Sequence, residues 1–194
     1  MKISETFHFA TAQICNDGHV INNDIEHHPE CNRDFCSECG AKTISACPSC
    51  NEPIKGLYFK TEIYQTPRTG VYIPGERHSN TISTNVPVDP KAEYKVPAYC
   101  HNCGSPYPWT ESLLKEADTI IDSFDELEYE QRKILKERFP DLLSDSSRTI
   151  SSALIFSKLV NGLTDVGSAV GKGFLINLLE KHIPETIFTL MQLR

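Results

Sequence analysis

No stretch of about 18 uncharged apolar residues occurs anywhere in the chain, which argues against a membrane-spanning helix. The opening MKISETFHFATAQIC carries a single lysine and no sustained apolar run, so it lacks the basic start and apolar core of a secretory signal. Basic runs are also missing. Residues 1–110 hold 9 Lys/Arg against 12 Asp/Glu and residues 111–194 hold 10 against 14, so the net charge of −7 is spread evenly. Nothing in that distribution supplies the Lys/Arg cluster on which phosphate-backbone affinity rests. P-loop, nucleophile-elbow and H-E-x-x-H motifs are absent too. A deaminase-type zinc site needs P-C-x-x-C, and no cysteine pair here follows a proline. Cysteine itself is confined to one side: all eight residues lie before position 110.

What is present divides the chain in two. With 194 residues there is room for one domain or two small ones. The cysteines and most of the prolines occupy residues 1–110, among long turn-rich intervals. After Trp109 the apolar spacing becomes helical. Thr110 reads as an N-cap for a helix carrying Leu113, Leu114, Ala117, Ile120, Ile121 and Phe124. Ser123-Phe-Asp-Glu126 reads as a capping box that opens a second helix ending at Pro140. Further helices are expected near Ser147 and after Asp165. Aromatic and β-branched content predicts short strands in GLYFKTEIY and GVYIP, whereas RHSNTISTNVPVDPKAEY reads as a polar, proline-bearing loop. The expected fold is therefore α+β: a metal-built module of short β-hairpins over residues 1–110, followed by a helical segment over 111–194.

Four ligand pairs recur at fixed spacing: Cys15-x3-His19, Cys36-x2-Cys39, Cys47-x2-Cys50 and Cys100-x2-Cys103. Two intervening residues let one tight turn present both sulfurs to a tetrahedral metal. The residue after the second cysteine must tolerate positive φ, and here it is Gly40, Asn51 or Gly104, with Gly18 beside His19 in the first pair. Redox dithiols are the competing reading, but they would sit in a βαβ pattern, and none surrounds these pairs. Cytoplasmic placement, the default for this composition, keeps thiols reduced and favours metal over disulfides. Cys31 has no partner at ligand spacing and reads as a free thiol. His27, His28, His78, His101 and His182 read as solvated residues. Sequential pairing gives one site from Cys15, His19, Cys36 and Cys39 and another from Cys47, Cys50, Cys100 and Cys103. An interleaved pairing, first with third and second with fourth, stays open.

The segments ICNDGHVI, FCSECGAKTI, CPSCNEPIKG and PAYCHNCGSPYPWTE resemble a bacterial family of cytoplasmic double zinc-ribbon proteins of unassigned function. The resemblance covers residues 12–114 well, and CHNCGSPYPWTE is its most specific part. It implies two structural zinc ions, supports His19 as a ligand and the sequential pairing, and implies no reaction. Cys31 and the interval near residues 60–95 depart from the family's usual pattern.

Two closed four-ligand sites leave no open coordination position, which speaks against catalysis. The acidic run FDELEYEQ reads as a solvated helix face. For nucleic acid, Tyr107 and Trp109 are stacking candidates, although they read more simply as packing over the second site and seating the first helix. Seven thiolates would outweigh two zinc dications, so metal loading makes the balance still more acidic. The favoured expectation is a non-catalytic zinc-binding adaptor whose partner is a protein, including a second copy through the helical segment. Nucleic-acid binding, an unknown enzymatic or effector role, and surface attachment of the helical tail to a membrane are the alternatives. Gly162, Gly167, Gly171 and Gly173 are expected to let helices approach closely.

Overall fold

The computed structural model describes residues 2–66, 80–89, 93–144, 146–163, 166–183, 187, 189 and 191. The expected strand GVYIP and His78 lie outside these residues. The chain divides into two compact units, Met1–Ser105 and Pro106–Arg194.

In the first unit, β1 (Lys2–Thr11), β5 (Lys55–Thr66) and β6 (Asn80–Pro87) form an antiparallel sheet in the order β1-β5-β6. A smaller antiparallel sheet joins β2 (Gln13–Cys15), β3 (Val20–Asn22) and β4 (Thr43–Ile44) in the order β3-β2-β4. Two of these strands differ from the sequence reading. The segment 77–94 was expected to be a loop, yet Asn80–Pro87 pairs residue for residue with Phe59–Thr66. Its β-branched residues Thr81, Ile82, Thr84 and Val86 suit the pleat despite the polar residues between them. β1 carried no strand expectation, although β5 pairs along most of its length.

Ala10, Ala12, Ile14, Ile54 and Phe59 form the apolar core of this unit, together with Cys15, Cys36, Cys47 and Cys100. Gly56 marks its tightest point. A Cβ there would stand 2.2 Å from the Asn23 carbonyl oxygen and 3.0 Å from that of Ala10, so only glycine admits this approach of three backbone segments.

The second unit is helical: α1 (Pro108–Asp122), α2 (Tyr129–Leu142), α3 (Thr149–Asn161) and α4 (Val166–His182). Leu113, Ala117 and Ile121 recur every four residues on α1 and are buried, as are Phe156 and Val160 on α3 and Leu175 and Leu179 on α4. They join Phe124, Leu135, Phe139 and Met191 in one core, with the Phe139 and Phe156 rings 6.0 Å apart. The helix starts shift from their expected places. α1 has Tyr107 at its N-cap and Pro108 in the first turn, where a missing N–H costs nothing. The capping box of α2 is Glu128 with Gln131, not Ser123 with Glu126, because Phe124 and Leu127 are buried in the connection that precedes the helix. Pro140 lies inside α2, whose last turn runs on to Leu142 and buries that side chain. Of the glycines expected to allow close packing, Gly171 does so: a Cβ there would meet Phe124 Cε1 at 2.7 Å, whereas Gly173 has nothing within 4 Å. No described helix is long and apolar enough to cross a membrane.

Candidate metal centres

Three of the four ligand pairs sit in turns built by one hydrogen-bond pattern. The N–H of Cys36 donates to the Ala41 carbonyl at 2.9 Å, and the Gly40 N–H returns to the Cys36 carbonyl at 2.9 Å. Cys47 and Asn51 repeat this with Glu52 at 2.8 Å in both bonds, and Cys100 and Gly104 repeat it with Ser105 at 2.9 Å. Each turn closes through a residue in the left-handed region: Gly40 at φ 73°, Asn51 at 61° and Gly104 at 72°. The first pair uses a related turn one residue shorter. There the Cys15 N–H donates to the His19 carbonyl, the Gly18 N–H donates to the Cys15 carbonyl, and Gly18 has φ 90°.

These turns bring the pairs together in sequence order. The ligand atoms of Cys15, His19, Cys36 and Cys39 all lie within 4.8 Å of one another, and so do those of Cys47, Cys50, Cys100 and Cys103. The interleaved arrangement is not the one adopted. Spacing within each group suits a tetrahedral ion. With metal–sulfur bonds of about 2.3 Å, sulfurs at tetrahedral corners stand roughly 3.75 Å apart. The observed Sγ separations are 3.7 Å for Cys15–Cys39, 3.8 Å for Cys47–Cys103 and 3.7 Å for Cys50–Cys100. A disulfide would need about 2.05 Å. A nitrogen corner shortens the edge to roughly 3.5 Å; His19 Nδ1 lies 3.5, 3.7 and 3.3 Å from the sulfurs of Cys15, Cys36 and Cys39. The residues present therefore fit a metal ion at both places.

Surrounding groups tune the donors. The Ser105 hydroxyl and N–H pull the Cys103 thiol down to about 6. Burial pushes Cys36 upward, but the N–H groups of Cys39 and Glu38 outweigh it and leave the thiol at about 7. For Cys39 the Ala41 N–H works downward, yet burial, the Asp17 carboxylate and the crowded sulfurs push it up to about 12. Cys50 is pushed up to about 11, burial and the neighbouring thiols overcoming the Glu52 N–H. Each cluster thus releases its first protons readily and its last reluctantly. A bound dication supplies the charge that completes ionisation.

The remaining candidates stay apart. Cys31 is exposed and belongs to neither group. His28-Pro29-Glu30 has H-x-E spacing, but His28 and Glu30 are exposed and pair with each other at 3.2 Å. His27 bonds Asp24 at 2.7 Å, and His101 Nε2 lies 3.4 Å from Glu52. Tyr107 and Trp109 stack with ring centroids 4.7 Å apart and are both buried, which removes them as base-stacking surfaces. Sequence reasoning overlooked several exposed aromatics, among them Phe7, Phe9 and Tyr58 on the β1-β5-β6 sheet.

Two groups of four possible ligands on paired turns fit a double-ribbon-like arrangement that could bind metal, and a helical unit follows in the chain. The chain belongs to the bacterial family described as "Uncharacterized protein conserved in bacteria (DUF2321)", whose model matches residues 8–78 and 60–187. No curated protein matches the chain. No solved structure matches it either.

Proposed function

We propose that this chain is a non-catalytic adaptor of the bacterial cytoplasm that holds two structural zinc ions and binds a protein partner. The observation that carries this reading is the completeness of the two ligand sets. Each group offers four protein donors at tetrahedral spacing, so a bound ion keeps no open position for substrate or water. A set of four thiolates, or of three thiolates and one imidazole, suits zinc in closed sites of this kind. Its role here is to hold the first unit folded, one ion on Cys15, His19, Cys36 and Cys39 and the other on Cys47, Cys50, Cys100 and Cys103.

The surface supports a protein partner. Ile150 and Leu154 on α3, and Val170 and Phe174 on α4, are exposed at helical spacing. Such stripes suit a partner helix or the same unit of a second copy. Nucleic acid is the second reading, favoured by exposed Phe7, Phe9 and Tyr58 on a sheet. Against it, two of the lysines on that face, Lys2 and Lys60, both pair with Glu5 and Glu62, which leaves Lys55 over the Phe9 ring as a single cation rather than a basic cluster.

Affinity purification from the native cytoplasm, with and without nuclease, tests the assignment. A defined protein partner that survives nuclease supports the adaptor. Recovery dominated by nuclease-sensitive RNA or DNA overturns it.

A further inference from the structure

The two edges of the β1-β5-β6 sheet are unlike. β6 ends in Pro87 and carries Asn80, Ser83 and Asn85, the composition that blunts an edge. β1 is ten residues long, holds no proline, and keeps regular register with β5 from Ser4 to Phe9. Among the described residues, no strand lies on its other side. Near Thr11 the edge is closed, because the Ile25 N–H donates to the Thr11 carbonyl and Glu26 accepts the Thr11 N–H. Before that point its outer edge is a template for another strand.

The side chains select the occupant. Phe7 is 50% exposed and Phe9 48%, and both lie on the face shared by Tyr58, Lys60 and Val86. The Phe9 and Tyr58 rings pack with centroids 4.6 Å apart, and those of Phe7 and Tyr58 are 5.9 Å apart. The charges at the upper end are compensated within the chain, since Glu5 and Glu62 hold Lys2 and Lys60. At the other end Lys55 Nζ stands over the Phe9 ring, 4.8 Å from its centroid, a lone cation rather than a charged cluster. A strand with the same pattern does fit.

We propose that β1 pairs antiparallel with β1 of a second copy about a two-fold axis at Phe7, joining the two sheets into one of six strands. In that register Phe7 opposes its own copy, Glu5 opposes Phe9, and Thr6 opposes His8. No like charges face each other, and the aromatic strip runs unbroken across the junction. This is an isologous contact, closed at two chains. It rests on the reading of the chain as a protein-binding module and names one partner of that module.

The test is sedimentation of the full-length, zinc-loaded chain, alone and as Phe7→Glu and Phe7→Lys variants. Phe7 is half-exposed, so both variants are expected to fold, and unchanged zinc content and circular dichroism check that. The wild type should form a concentration-dependent dimer. Each variant places like charges directly opposite and should weaken association about tenfold or more. Mixing the two variants in equal amounts should restore the dimer, because Glu then opposes Lys. A monomeric wild type overturns the proposal, as does a dimer that both variants leave unchanged. Either result leaves the nuclease-resistant capture of another protein standing, so the two readings fail separately.

Discussion

His19 Nδ1 lies 3.3 Å from Cys39 Sγ, while Nε2 on the opposite side of the ring lies 3.6 Å from the Glu38 carboxylate. The histidine therefore presents one nitrogen to the sulfurs and the other to a carboxylate, the arrangement that fixes a metal-bound imidazole. The protein purified without added metal should contain two zinc ions per chain. His19→Ala should lower this toward one, and His19→Cys should retain both. Cys31→Ser should change nothing. Elemental analysis reads all three, and an iron–sulfur spectrum would defeat the zinc assignment.

Chelation should separate the two units. Five apolar side chains apart from cysteine make up the buried core of the described first unit, whereas α1–α4 share one continuous apolar cluster. Structural zinc in small finger peptides contributes roughly 10–16 kcal/mol of apparent binding energy, expressed as folding energy. A strong chelator should abolish amide-exchange protection in residues 2–66 while most of the helical circular dichroism survives. Simultaneous loss of the helical signal would show one cooperative unit instead.

Two glycines of α4 should respond with opposite signs. Gly173→Ala adds a Cβ into open space and gains helix propensity, stabilising the helical unit by up to about 1 kcal/mol. Gly171→Ala gains the same propensity but drives its Cβ into the ring of Phe124, which is fully buried and has nowhere to move. Overpacking costs about 1–3 kcal/mol, so the net effect should be a loss. Denaturant midpoints of the helical signal distinguish the two.

Glu26 carries a pH dependence. Burial pushes its carboxyl upward, but the Thr11 hydroxyl at 2.5 Å and the Thr11 N–H at 2.9 Å outweigh burial and leave it below the ordinary carboxylate range. A depressed carboxyl contributes stability that is complete above its unfolded pKa and disappears as pH falls through the folded value. Acidification below about pH 4 should therefore weaken the junction of β1 with the following loop. Glu26→Gln should cost about 1 kcal/mol at neutral pH and flatten this acid limb. Amide exchange at Thr11 reports both effects.

Where local chemistry dictates structure, the sequence was legible. A cysteine followed four residues later by glycine or asparagine encodes the turn, its hydrogen bonds and its positive φ together, as Cys36–Gly40, Cys47–Asn51 and Cys100–Gly104 show. The mixed α+β fold, with the cysteine turns among the N-terminal strands and the helices after them, followed from the same contrast in composition. β1 and β6 were hidden for a different reason. Alternation in SETFHFAT places Phe7 and Phe9 on an exposed face and His8 on the other, so polarity does not report which side is covered. In β6, asparagine and serine mimic a loop, and only pairing with β5 specifies the strand. Helix starts slipped where Phe124 and Leu127 serve the core from outside any helix. Propensity cannot anticipate that.

The two metal clusters close loops of very different span. Cys15 meets Cys39 across 24 residues, while Cys47 meets Cys103 across 56, with the β5–β6 pair inside the longer loop. In chain entropy the difference is slight, about 0.7 kcal/mol. In time it is not. At about 5–20 residues per second, several seconds of synthesis separate the emergence of Cys39 from that of Cys103. All four ligands of the first cluster are then synthesised while Cys47 and Cys50 still lack the two partners of the second. If both clusters load metal as the chain emerges, assembly would be ordered along the ribosome, and the interval before Cys100 appears would be when the thiols of Cys47 and Cys50 are most open to capture or oxidation.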